Sequence, residues 1–141
     1  MRCNLEKFVS SSEIETKEIA YKLASKLTIG DIVVLSGDLG SGKTCFTKGL
    51  LSFWKLENDV SSPTFTIVNE YENNIYHFDV YRLSGPEEFY DIGGPEYFTK
   101  GISIIEWGEI IESALPPNCI KITFEKNLNQ EDVRYISVEW R

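Results

Sequence analysis

The sequence has little of what metal centres, secretion and membrane insertion require. It contains one histidine, His77, and three cysteines, Cys3, Cys45 and Cys119, an odd number with no CxxC spacing. A Cys/His zinc site and a paired disulfide framework are therefore excluded, and a reduced, cytoplasmic setting is expected. The longest aliphatic run, Ile32-Val33-Val34-Leu35, is far short of the ~20 apolar residues of a membrane span. The stretch Met1–Lys7 lacks the apolar centre of a secretory signal, so no membrane association is expected. Basic charge is also in deficit: 14 Lys plus Arg stand against 22 Asp plus Glu, a net charge of −8. Unaided nucleic-acid binding is disfavoured, because phosphate-backbone affinity comes mainly from concentrated Lys and Arg that release counterions.

What is present suffices for one globular unit. The 141 residues are 42% hydrophobic and 13% aromatic, enough for an ordinary core, and a single domain over residues 1–141 is expected. Ser12-Glu13-Ile14-Glu15 reads as a capping box that opens a packing helix with Ile19, Ala20, Leu23, Ala24 and Leu27 on one face, stopped near Gly30. Residues 31–36 read as a strand buried on both faces, and a second helix is expected over 43–54. Residues 64–71 and 75–83 form a hairpin pattern around Asn73-Asn74, and Pro86–Tyr90 reads as a short acidic helix. A buried strand over Ile102–Glu106, a brief helix over Glu109–Ala114 and a final hairpin of 120–124 with 133–138 complete the pattern. The order predicts an α/β fold with a mixed parallel and antiparallel sheet flanked by helices.

The chemistry is concentrated in Gly37-Asp38-Leu39-Gly40-Ser41-Gly42-Lys43-Thr44, which satisfies the phosphate-loop pattern GxxxxGK[ST] at every fixed position. It lies between an aliphatic strand and an amphipathic helix. Glycines there let backbone N–H groups wrap phosphates, and the helix N-terminus adds a favourable dipole. Lys43 is the expected partner of the β- and γ-phosphates and Thr44 of Mg²⁺.

Hydrolysis further needs an acid near the metal and a group that positions water. Two candidates stand out. In Ile75–Tyr81, alternation places His77, Asp79 and Tyr81 on one face, so Asp79 is either a site carboxylate or one half of a surface ion pair with Arg82. Glu106 ends a run that is apolar on both faces, and ligands of open α/β sheets bind beyond the carboxyl ends of such strands. His77 reads as a hydrogen-bonded structural residue and Arg134 as a surface ion-pair residue. No NKxD element for guanine occurs, which favours ATP; Asp91-Ile92-Gly93-Gly94 fits DxxG but reads as a helix-ending turn. A small-molecule kinase would need an arginine-rich lid, and the chain holds only Arg2, Arg82, Arg134 and Arg141.

Four blocks in order, Gly37–Thr44, Ser62-Pro63-Thr64-Phe65-Thr66, His77-Phe78-Asp79-Val80-Tyr81-Arg82-Leu83 and Ile105-Glu106-Trp107-Gly108-Glu109, resemble the TsaE (YjeE-type) ATPases of bacterial tRNA threonylcarbamoyladenosine biosynthesis. The resemblance implies a cytoplasmic, Mg²⁺-dependent ATPase that acts with the proteins TsaD and TsaB, and no direct grip on tRNA. It assigns Lys43 and Thr44 to phosphate and Mg²⁺, Asp79 and Glu106 to the metal and its water, Thr64 to a segment that senses the γ-phosphate, and Trp107 to the functional cluster. The final turn, Asn129-Gln130-Glu131-Asp132, lacks the Gly-Arg pair frequent in the family, with Arg134 as its nearest substitute. A nucleotide-gated binding module and a small P-loop kinase are the alternative readings.

Overall fold

A computed structural model describes residues 4–37, 41–56 and 67–140. The element on which the rest is laid is β2 (Ile32–Ser36), whose Ile32, Val33, Val34 and Leu35 are all buried. A strand apolar on both faces needs cover on both, and it receives parallel neighbours on each side. These are β5 (Ile102–Glu106) and β6 (Ile120–Lys126). β4 (Ile75–Asp79) adds in parallel to β5, and β3 (Val68–Tyr71) adds antiparallel to β4. On the other flank β7 (Arg134–Trp140) pairs antiparallel with β6, and β1 (Asn4–Ser10) pairs antiparallel with β7. The seven-stranded order is β1-β7-β6-β2-β5-β4-β3, the mixed α/β sheet that the sequence pattern predicts.

Two cores cover this sheet. On one face α1 (Glu13–Ala24) and α2 (Lys43–Ser52) pack Ala20, Leu23, Phe46, Leu50 and Leu51 against Val33, Leu35, Ile104 and Ile122. On the other, α3 (Pro86–Asp91) and two 3₁₀ stretches, Gly94–Thr99 and Gly108–Ala114, enclose Val34, Phe78, Phe89, Phe98, Ile105 and Ile111. The stretch expected as a brief helix at 109–114 is thus a tighter 3₁₀ run, broken at Ile111.

Local signals set the boundaries. Ser12 Oγ accepts the N–H of Glu15 at 3.1 Å, as a capping box requires, while Glu15 Oε2 accepts from Ser11 N at 2.9 Å, one residue earlier than in the reciprocal motif. α1 ends at Ala24 rather than near Gly30, and the buried Leu27 packs from a non-helical turn. The β3–β4 connection turns through Asn73 (φ 65°) and Asn74 (φ 59°), left-handed positions that asparagine tolerates. β4 lies inside the sheet, between β5 and β3, rather than at an edge.

β1 is an element the sequence reading does not contain. Its inward positions are Glu6, Phe8 and Ser10, while the exposed ones include Leu5 and Val9, so the apolar alternation points the wrong way. The inward polar groups are satisfied locally. Glu6 Oε1 accepts from Trp140 Nε1 at 2.6 Å, and Ser10 Oγ lies 2.6 Å from Thr16 Oγ1.

The two helices approach backbone to backbone at Gly49. A Cβ there would stand 2.7 Å from Lys17 Cα and O and 2.8 Å from Ala20 Cβ. Gly49→Ala should therefore push α1 from α2 and lower stability by about 1–3 kcal/mol, read as a lower midpoint in thermal or urea unfolding. An unchanged midpoint would show that this contact yields freely.

Candidate functional site

Register, more than sequence proximity, assembles the site. Leu35 of β2 is opposite Glu106 of β5, and Glu106 is opposite Asp79 of β4. Strand neighbours stand about 4.8 Å apart. The two carboxylates therefore emerge side by side at the carboxyl ends of parallel strands, next to where β2 runs through Ser36 and Gly37 toward α2. Asp79 Oδ1 accepts the N–H of Tyr81 at 3.1 Å, which turns the chain at the end of β4. The ion pair between Asp79 and Arg82 considered from sequence does not occur among the described residues.

The described part of the loop comprises Gly37, Ser41, Gly42, Lys43 and Thr44; Asp38, Leu39 and Gly40 lie outside the described residues, as does Thr64. A Cβ on Gly37 would meet Ser41 Oγ at 2.7 Å and Phe124 Cβ and O at 3.0 Å, so the chain passes β6 where only glycine fits. Gly42 caps α2 at φ 108°, a left-handed conformation open to glycine at little cost. The Phe46 N–H bonds to the Gly42 carbonyl at 2.9 Å and starts the helix.

Two buried polar side chains here have unused donors. Ser41 is 1% exposed and its Oγ has no hydrogen-bond partner. Lys43 is 7% exposed; its Nζ sits over the Trp107 ring, 4.1 Å from the centroid, and no carboxylate pairs with it among the described residues. A lysine with a buried stem and an ammonium held only by an aromatic face lacks a counter-charge, which an anion would supply. Thr44 is exposed in the first turn of α2.

This donor set fits a polyphosphate with a hard cation. Ser41, Lys43 and the α2 N-terminus supply positive or donating groups, while the Thr44 hydroxyl, Asp79 and Glu106 supply oxygens. No group of three or more His, Cys, Asp or Glu side chains that could hold a metal exists among the described residues.

Trp107, directly after Glu106, adopts φ 65°. A bulky residue in the left-handed region stores about 1–3 kcal/mol of strain, and such positions cluster at functional sites. The conformation aims the indole at Lys43 on one side and at Tyr81 on the other, where the rings lie 4.9 Å apart. Arg134 also approaches: its Cγ would stand 4.0 Å from a Cβ on Gly42, and its Nη1 donates to the carbonyl of Glu131 and, at 3.1 Å, to that of Val133. The final hairpin thus borders the loop. Cys45, next to Thr44, points to the α1 side, with Sγ 3.5 Å from the Glu13 carbonyl. Burial pushes its thiol up, against the opposing pull of Lys17.

Sequence reasoning singled out Lys43, Thr44, Asp79 and Glu106, and the family resemblance added Trp107. Sequence reasoning read His77 as a hydrogen-bonded structural residue without naming its partner, Glu106 Oε2, which lies 2.7 Å from His77 Nε2, and it did not place Tyr81 against Trp107. The available signal was alternation, since His77, Asp79 and Tyr81 share one face of the segment.

Because Lys43 carries a charge that the fold leaves unpaired, Lys43→Met should leave the midpoint of thermal unfolding equal or higher. A lower midpoint would give the lysine a structural role.

The model of the TsaE family, described as threonylcarbamoyl adenosine biosynthesis protein TsaE, matches residues 10–136. A tRNA threonylcarbamoyladenosine biosynthesis protein TsaE of Rickettsia conorii is 43% identical over 119 residues, covering 82% of this chain and 68% of the relative. The protein of the same description from Bacillus subtilis is 42% identical over 116 residues, 79% of this chain and 72% of the relative. The crystal structure of Bacillus subtilis YdiB superposes with a TM-score of 0.75 at 31% identity, covering 99% of this chain and 88% of that one. With the fold, the motif and these relatives in agreement, the chain belongs to the TsaE family of tRNA threonylcarbamoyladenosine biosynthesis proteins.

Proposed function

We propose that the chain is an ATP-binding, slowly ATP-hydrolysing component of the threonylcarbamoyladenosine machinery, dependent on Mg²⁺, working in the cytoplasm and stimulated by TsaD and TsaB. The observation that carries this reading is the buried, unpaired Lys43 and Ser41 at a strand-to-helix turn, beside two carboxylates at the ends of neighbouring parallel strands. Lys43 and the loop N–H groups hold the phosphates. Thr44, with Asp79 or Glu106, holds Mg²⁺, and the remaining carboxylate positions water. When bound, the metal would supply neutralisation of the charge that develops on the phosphates.

The net charge of −8 supports docking to basic protein surfaces more than to tRNA. The isolated protein should accordingly show no gel shift with tRNA at physiological salt, and a salt-sensitive shift would contradict this.

A second reading, a module whose docking is gated by ATP occupancy alone, is favoured by one observation. Trp107 contacts both Lys43 and Tyr81, and Tyr81 is 62% exposed, so a change at the loop reaches the surface through two rings. The test mixes purified protein with TsaB and TsaD and measures ATP turnover. Stimulation is expected, with Lys43→Ala lowering it at least 10²-fold; full activity in that variant would remove the loop from the mechanism. Glu106→Gln should keep ATP-dependent assembly while stopping tRNA modification. Modification that continues in this variant would favour gating over hydrolysis.

A further inference from the structure

His77 lies on β4 two residues before Asp79, on the face of the sheet that also carries Glu106, and is 2% exposed. Its Nε2 is 2.7 Å from Glu106 Oε2, across the β4–β5 pair. An ionised carboxylate only accepts, so Nε2 is the donor. The other ring nitrogen, Nδ1, is buried without a hydrogen-bond partner. Glu106 is therefore the ring's one polar attachment among the described residues. A histidine kept for packing alone would be replaceable at such a position by an apolar ring that leaves no nitrogen unsatisfied. The bond occupies one oxygen of Glu106 and leaves the other without a hydrogen bond among the described residues.

We propose that His77 is a positioning residue: by donating to one oxygen of Glu106, it fixes the carboxylate and reserves the other oxygen for the metal or water of a bound nucleotide. The terminal torsion of a glutamate is broad, so an untethered carboxylate at the end of a strand samples many orientations. Catalytic groups misplaced by about 1 Å lose on the order of 10²-fold in rate. Tethering through a neighbouring strand removes that freedom. The inference rests on the ATPase reading above and adds to it a residue that does not touch the nucleotide.

The experiment compares wild type with His77→Leu, which lacks a donor, and His77→Gln, whose amide can still donate to Glu106. With TsaB and TsaD present, His77→Leu should lower kcat about 10–100-fold at nearly constant KM, and His77→Gln should recover most of the loss. ATP affinity in EDTA should stay within about twofold of wild type, while the tightening produced by Mg²⁺ is reduced. In a Glu106→Gln background, His77→Leu should add no further loss, since it acts through that side chain.

His77 is the chain's one histidine, so its ring resonances are free of overlap. Adding Mg²⁺ to the ATP-bound wild-type protein should shift the Nε2 signal. Equal damage from Leu and Gln, an undiminished effect in the Glu106→Gln background, or an unmoved ring signal would each overturn the proposal. If His77→Leu fails to fold, His77→Gln turnover and the ring spectrum decide. Wild type that binds no ATP in Mg²⁺ would overturn the ATPase reading and this inference together. Normal binding with unaffected variants would overturn the positioning role alone.

Discussion

Strand β2 is buried on both faces, and that single demand organises the molecule. Its apolar side chains require a helical layer on one side and the α3 and 3₁₀ layer on the other, with a parallel partner at each edge. Parallel partners all present their carboxyl ends at the same rim of the sheet. The glycine-rich loop leaves β2 at that rim. Glu106 and Asp79 reach it because β5 and β4 share the register of β2, Leu35 opposite Glu106 and Glu106 opposite Asp79. Hydrophobic burial at the centre thus fixes where charge is collected at the end.

The collected charges are held at a cost to the fold. Lys43 is buried on an indole face, Ser41 keeps an unsatisfied hydroxyl, and Trp107 is strained. Each would be improved by an ordinary core residue, and each lies within one cluster. Local penalties gathered in one place mark a surface shaped for something that is not part of the chain.

Legibility in the sequence followed how local each signal was. β2 and α2 could be read because burial and the glycine pattern lie within a few consecutive residues. β1 could not, since its inward residues are Glu6, Phe8 and Ser10 and its partner β7 is the last strand. Asp79 and Glu106 were readable as candidates from strand ends, but their adjacency comes from a parallel pairing that no local pattern encodes. The same holds for His77, whose bond to Glu106 joins residues 29 apart. A histidine alternating with an acid looks the same whether it faces solvent or another strand's carboxylate. Trp107 came only through family resemblance, because an aromatic after a buried strand is ordinary core by composition.

The contact at Gly49 has a mechanical side. α2 starts at Gly42, and seven residues later its backbone is pressed against that of α1, so the helix that carries Lys43 and Thr44 has no room to slide or roll toward its neighbour. The opposite wall of the site has no such clamp: Trp107 and Tyr81 meet through ring faces, and Tyr81 stands in solvent. The site therefore joins a rigid wall to a looser one. Stiffness lies on the α2 side, and compliance is left to the aromatic side.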